Sequence, residues 1–448
     1  MGKTAKILLL CLLAALLLAG CGAPLLPQPA APTAEPSAAP EPAPTPEPTP
    51  EPTPTPTVYE HTWSPYSKTL RIAPDELADL IAQRELLPEL GKILLIETVD
   101  DAELLAALRE AFPEAELSYR VELGGRLIDS AETELDLSWL PHEAVPAACE
   151  SLLLLPNVTR IVLSDAAPWE DVGAFQALPG APIVDKPFTL YGRSFNTADA
   201  MMNLNDVKIY DDCAALREVL PYMTSCYQLD MENCGIRNEA MAVLRDDFPS
   251  VKIVWRVRFS IYSVRTDETR ILASIRDINM SGDTVACLKY CTEVRYLDLG
   301  HNCINDISFV EYMPDLEVAI LAINYWADAS PLASCQKLEY LEIFNTNCTD
   351  LRPLAELKNL KHLNICWIKN LSDISPLYEM TQLERLWIGS SANNQIPRSQ
   401  YAEIQRRLPD TVINVTTDNP TEEGWRDDPR YDLLIEQMGY NLDHMYST

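Results

Sequence analysis

The residues with which this 448-residue chain could bind a metal or carry out nucleophilic chemistry are few, and their spacing argues against both. Twelve cysteines are present. Apart from Cys11 and Cys21, which lie in or next to an N-terminal apolar segment, none forms a Cys-x-x-Cys pair or a Cys/His zinc spacing. Cys335 and Cys348 fall in apolar columns of a repeat, and Cys287 and Cys291 stand one helical turn apart, so buried thiols are the expectation. Should the chain be exported, Cys226 and Cys234 are the pair to test for a disulfide. The five histidines, His61, His142, His301, His362 and His444, are scattered, with no His-Glu-x-x-His, Gly-x-Ser-x-Gly, phosphate-cradling loop or EF-hand spacing among them. Acidic residues are abundant, but no pair has a spacing that argues for glycoside chemistry. The expectation is a chain that is not an enzyme, with no catalytic residues, no metal and no cofactor. A hydrolase site within residues 58–290 is the less favoured alternative.

What the chain does offer is a repeat. The segment Val294-x-x-Leu297-x-Leu299 recurs at Leu316/Ala319/Leu321, Leu338/Leu341/Ile343, Leu360/Leu363/Ile365 and Leu383/Leu386/Ile388, in steps of 22, 22, 22 and 23 residues. Between these strands a return segment repeats as well. Ile307, Ala329, Leu351 and Ile374 form one column, and Val310, Leu332, Leu354 and Leu377 a second; Met313, Cys335, Leu357 and Met380 form a third. Asp306, Asp328, Asp350 and Asp373 stand one residue before the first column, where a carboxylate can accept unpaired backbone N–H groups. Pro331, Pro353 and Pro376 suit the start of a turn or helix. No single unit can bury its apolar face, so neighbours must stack into one continuous core.

This pattern resembles the 22-residue leucine-rich repeats of internalin-like bacterial surface proteins. Their Asp-x-Ser-Pro-Leu return reads here Asp328-Ala329-Ser330-Pro331-Leu332 and Asp373-Ile374-Ser375-Pro376-Leu377. The first copy departs, with Phe309 in place of proline. An asparagine ladder begins at Asn302 and Asn324 but is broken by Thr346. The resemblance implies an α/β leucine-rich-repeat solenoid with parallel strands on its concave face. Because side chains alternate along a strand, the residues flanking the inward leucines should point outward. These are Tyr296, Asp298, Ile320, Tyr340, Glu342, Phe344, His362, Asn364, Arg385 and Trp387, with His301 and Trp367 at the strand exits and Val318 and Ile320 leaving an apolar patch uncovered. Aromatics and arginine on a rigid surface are the types enriched at binding hot spots. Internalin-like proteins bind host or surface proteins in this way, so a protein ligand on the concave face is the expectation. A cell-wall or host polysaccharide stacked on Trp387, Tyr340 and Phe344 is the alternative.

Upstream the periodicity is longer. Leu108-Arg109-x-x-Phe112-Pro113 with Tyr119-Arg120-Val121 matches Leu244-Arg245-x-x-Phe248-Pro249 with Trp255-Arg256-Val257, and Phe188-Thr189-Leu190-Tyr191-Gly192 resembles Val121-Glu122-Leu123-Gly124-Gly125. Three modules follow, starting near Val121, Phe188 and Val257, each an edge hairpin, a strand, a helix and a second strand. Residues 58–290 are thus expected to be irregular α/β repeats, and residues 291–418 the regular ones with a C-terminal cap made by Ile404-x-x-Arg407-Leu408-Pro409 and a strand over 411–415. Residues 419–448 form a tail. Its Gly424-Trp425-Arg426-Asp427-Asp428-Pro429-Arg430-Tyr431 resembles tails of related repeat proteins from anaerobic Gram-positive bacteria, and Trp425 and Tyr431 are expected to pack back on the cap.

The N-terminal end bears on location. Lys3 and Lys6 precede an apolar run over 7–18, too short for a membrane span, and Leu18-Ala19-Gly20-Cys21 resembles the lipobox of bacterial lipoproteins. That likeness implies a signal peptide over 1–20 and a diacylglyceryl group on Cys21, holding the protein to the outer face of the bacterial cell membrane. Residues 21–57 are nearly all Pro, Thr, Glu, Ala and Ser and cannot offset ordering entropy. As a polyproline-like stalk they reach on the order of 100 Å at about 3.1 Å per residue. The net charge of −31 becomes −33 once Lys3 and Lys6 are removed, a surface that repels phosphate backbones and anionic headgroups. Nucleic acid is therefore not an expected partner, and membrane contact falls to the lipid. Replacing Cys21 by Ala should move the protein from the membrane fraction to the soluble fraction and abolish incorporation of radiolabelled fatty acid.

Overall fold

The computed structural model describes residues 59–274, 280–422 and 424–439. The signal, Cys21 and the stalk lie outside the described residues. The 22-residue period becomes a ladder of one short strand per unit. Arg270–Leu272, Tyr296–Asp298, Val318–Ile320, Tyr340–Glu342, His362–Asn364, Arg385–Trp387 and Val412–Asn414 form a seven-stranded sheet in sequence order, every neighbour parallel. Parallel neighbours need a crossover, and between the strands from Tyr296–Asp298 to Arg385–Trp387 it is a 3-10 segment: Ser308–Tyr312, Ser330–Ser334, Arg352–Glu356 and Ser375–Leu377, whereas the α-helix Arg398–Arg407 leads to the last strand. Each 3-10 segment opens where expected. The carboxylates of Asp306, Asp328, Asp350 and Asp373 accept from the backbone N–H two residues on, at 2.8–3.0 Å. The middle residues of the strands, among them Leu297, Ala319, Leu341, Leu363 and Leu386, are fully buried against the return segments.

Asn302 and Asn324 close the turn after each strand. The Asn324 amide donates to the carbonyls of Leu299, Leu321 and Ala322 at 3.0–3.2 Å, while its side-chain oxygen accepts from the Ile304 N–H at 3.0 Å. Thr346, with a hydroxyl in the same place, reaches only the Ile343 carbonyl among these groups. The residues at the strand exits, His301, Ile323, Asn345 and Trp367, all have left-handed backbone, φ from 53° to 59°. For a β-branched residue such as Ile323 this conformation is strained, and only the stacked neighbours hold it.

Hairpins built from Glu116–Leu123 with Arg126–Asp129, Pro187–Leu190 with Arg193–Asn196, and Arg256–Phe259 with Tyr262–Arg265 interrupt the parallel stacking. They separate it into a four-stranded sheet, two three-stranded sheets and the seven-stranded one. One device recurs at the foot of each hairpin. The hydroxyls of Ser130, Thr197 and Thr266 are buried and accept from the backbone N–H of Tyr119, Lys186 and Trp255, eleven residues earlier.

The division of the folded part differs from the one expected at 290/291. Strand Arg270–Leu272 already belongs to the regular sheet, and apolar contact runs unbroken from Phe188 to Leu408. A separate core spans Leu70 to Val184. The two meet at Trp169, which stacks on Tyr222 with centroids 5.2 Å apart, meets Phe188 edge-on at 5.3 Å and carries the Lys186 ammonium 4.7 Å above its ring. The boundary falls just before the hairpin Pro187–Leu190/Arg193–Asn196, whereas the other two hairpins each lie within one core. Cys226 and Cys234 are not bridged to each other.

The asparagine turn yields a test of the ladder. Asn324→Ala leaves three buried carbonyls and one N–H without their partner, at about 1 kcal/mol each before relaxation. The variant should lose about 2–3 kcal/mol in urea denaturation, and a loss below about 0.5 kcal/mol would remove this account of the turn.

Candidate functional site

The alternation along the strands puts every expected residue on the same face of the sheet. The register aligns Tyr296, Val318, Tyr340, His362 and Arg385 in one row, and Asp298, Ile320, Glu342, Asn364 and Trp387 in the next. Phe344 follows on the same face. The expectation that these side chains are exposed is corrected by the structure. None of Tyr296, Asp298, Ile320, Tyr340, Glu342, Phe344, His362, Asn364, Arg385 and Trp387 is more than 6% exposed, and Val318 is covered too. Trp367 and His301, at the rim, are half-buried.

The cover is the tail. Beyond the last strand the chain turns back across the sheet, and Trp425, Tyr431, Ile435 and Met438 form one apolar cluster with Tyr296, Val318, Ile320, Ala322, Tyr340, Phe344, Cys366 and Trp387. Trp425 and Tyr431 therefore sit on the sheet face and not on the cap. Tyr431, Ile435 and Met438 lie on one stripe of the helix Pro429–Met438, at i, i+4 and i+7. This spacing was visible in the sequence and is the signal that could have placed the tail. Proline at the first helical position needs no hydrogen bond and starts the helix directly after the turn at Asp428.

Polar contacts fix the register of the tail. Trp425 is wholly buried, with its ring 5.4 Å from Tyr340 and 5.2 Å from Trp387, and its indole N–H donates to Glu342 Oε1 at 2.8 Å. Arg426 Nη2 donates to the other Glu342 oxygen at 2.9 Å. The Tyr340 hydroxyl also donates to Glu342, so a fully buried carboxylate is held by three donors. Burial first, and the Glu342 charge second, push the Tyr340 hydroxyl well above its ordinary range, which keeps it a donor. Arg385 lies over both the Trp387 and Trp425 rings, at 4.7 and 4.9 Å, donates to the carbonyls of Gly424 and Trp425, and pairs with Asp428 at 3.4 Å. Burial lowers the Arg385 pKa, and Asp428 acts in the opposite sense. Asn364 Nδ2 donates to the Pro420 carbonyl at 2.8 Å, and Trp367 Nε1 to that of Asp418 at 3.1 Å.

An open surface lies beside this one. The strand exits line a groove of about 450 Å³ bounded by His301, Tyr325, Asn345, Asn347, Trp367 and Lys369, with Tyr325 62% exposed. In the N-terminal half, His142 Nδ1 lies 2.6 Å from an Asp171 oxygen, and that bond raises the histidine pKa. The nearby Cys149 thiol is pushed up by burial and then by the Asp171 charge, the reverse of what a thiolate nucleophile needs. Among the described residues no group of three or more His, Cys, Asp or Glu is placed to hold a metal ion.

Known proteins resemble this chain in part. No family model matches it. Cilia- and flagella-associated protein 410 of Mus musculus is 35% identical over 118 residues, 26% of this chain and 47% of that protein. Its Homo sapiens counterpart is 31% identical over 118 residues, 26% of this chain and 45% of that protein. The chain thus spans about half the length of the curated relatives it matches. Among solved structures, an internalin (inlF) from Listeria monocytogenes aligns over 74% of this chain and 76% of its own at 19% identity, with a TM-score of 0.28. A leucine-rich-repeat protein of Leptospira interrogans aligns over 78% and 90% at 15% identity, with a TM-score of 0.30. Scores this low leave the assignment of the repeat fold to the ladder itself.

The buried carboxylate gives the second test. Breaking a fully buried ion pair costs roughly 3–5 kcal/mol, and less here because the Arg426 side chain is 29% exposed. The cost is also capped, since release of the tail returns Glu342 to water. Arg426→Met should therefore speed proteolysis and hydrogen exchange over residues 424–439 at least tenfold while leaving the denaturation midpoint of the ladder within about 1 °C. A large fall in that midpoint with no change in tail protection would show that the pair stabilises the sheet and not the docked tail.

Proposed function

We propose that this protein is a non-enzymatic binding protein, lipid-anchored through Cys21 to the outer face of a bacterial cell membrane, that recognises a protein ligand through the outer face of its repeat sheet. The observation that carries the reading is that this face already holds a peptide segment, with Trp425 wholly buried and hydrogen-bonded to Glu342. A rigid row of aromatics beside the buried Glu342 and Arg385 suits a polypeptide, and the tail occupies it when no ligand is bound. A glycan stacked on Trp387, Tyr340 and Phe344 would have to displace the tail as well. The open groove at Tyr325 and Trp367 suits a sugar better, and it is the second reading.

The test compares capture from surface extracts, and binding on a glycan array, by the mature chain, by a Trp425→Ala/Arg426→Ala variant and by that variant with Tyr340→Ala and Trp387→Ala added. The expected outcome is a defined protein partner captured at least tenfold better by the first variant and lost with the second. Equal capture by all three, or a glycan signal that follows Trp367→Ala instead, would overturn the sheet-face reading.

A further inference from the structure

The tail contacts have a composition unlike that of a permanent core. Permanent packing of this size is normally apolar with its polar atoms paired. Here the buried Glu342 carboxylate and two arginines meet five indole or phenol groups, those of Tyr296, Tyr340, Trp387, Trp425 and Tyr431. Two donors in it, Trp387 Nε1 and Arg426 Nε, are buried and have no hydrogen-bond acceptor among the described residues. Trp387 is 4% exposed and belongs to the sheet strand that the tail covers. The tail leaves its indole N–H unsatisfied.

The tail makes its polar contacts with a short stretch. Trp425 and Arg426 engage Glu342, the carbonyls of Gly424 and Trp425 take Arg385, and Asp428 pairs with Arg385 two residues further on. Tyr431, Ile435 and Met438 then supply an apolar helix stripe. This is helix-in-groove recognition with an aromatic–arginine lead-in, performed within one chain. Being tethered helps the tail only through effective concentration, in the millimolar range for a short flexible link.

We infer that residues 424–439 are a tethered stand-in for the ligand. The partner that the sheet face takes is then a protein segment carrying an aromatic–arginine pair followed, after one turn, by an amphipathic helix. This rests on the sheet-face reading above and names the chemistry of the partner. Such a segment competes with the tail for Glu342 and Arg385, and gains over it by placing an acceptor at Trp387 Nε1.

The experiment separates the tail from the ladder after folding. A site-specific endoprotease sequence is inserted after Glu422 in the full chain, the folded protein is cut, and a fluorescent peptide of residues 424–439 is added to cut and uncut samples. The expected result is that the cut protein takes up the peptide at least tenfold more than the uncut protein at equal concentration. Peptide with Trp425→Ala and Arg426→Ala should give no uptake, and cut protein with Glu342→Gln should give at least tenfold less. Retention of the original tail against excess peptide for hours, equal uptake by uncut protein, or loss of circular dichroism on cutting would each overturn the inference. The last would make the tail integral to the fold. If the peptide exchanges but cut protein captures nothing from surface extracts, the displaceable tail stands and the proposed function fails; the opposite pattern fails the inference alone.

Discussion

A strand of three residues cannot hold its place by itself. Each of the seven in the regular sheet has two neighbours at most, and each leucine in its middle is buried only because the next unit stacks on it. From that dependence come the strict period, the pairing register and the asparagine turns. It also accounts for the left-handed backbone at His301, Ile323, Asn345 and Trp367, which is tolerable only when the units on either side are in place. It dictates a second face too. Whatever residues alternate with the leucines are brought into rows, and in this chain the rows contain Tyr340, Glu342, Arg385 and Trp387.

Those rows pose a problem of solvation that the ladder cannot answer. Val318, Ile320, Tyr340, Phe344 and Trp387 make an apolar surface, yet a carboxylate and a guanidinium stand in the middle of it. A purely apolar cover would strand both charges, and water would leave the aromatics exposed. Trp425 and Arg426 answer both at once, one by stacking and donating, the other by charge. The tail therefore binds in one register only. The two donors left unpaired mark where that answer is incomplete.

Much of this could be read from residues alone, and what could not has physical reasons. The 22-residue steps carry the strands, the return segments and the capping aspartates because each is a local consequence of its own unit. The hairpin modules were legible through Phe112-Pro113 and Phe248-Pro249. The identity of the face residues followed from alternation. Their burial did not, because it depends on a segment distant in sequence: Trp425 and the Glu342 it meets stand 83 residues apart. Periodicity reports which face a side chain takes and says nothing of what covers that face. The core boundary near Val184 was likewise hidden, since a hairpin looks the same in sequence whether it joins two cores or ends one.

The order of synthesis adds a consequence of where the tail lies. The sheet is complete once Val412–Asn414 has been made, whereas the residues that cover it follow later in the chain. At roughly 5–20 residues per second, the aromatic rows stand open for about half a second to two seconds in every newly made molecule before Trp425 arrives. During that interval the nascent protein presents its stickiest surface with nothing on it. The two charges set among the aromatics, Glu342 and Arg385, then act as gatekeepers against self-association before they serve as docking points.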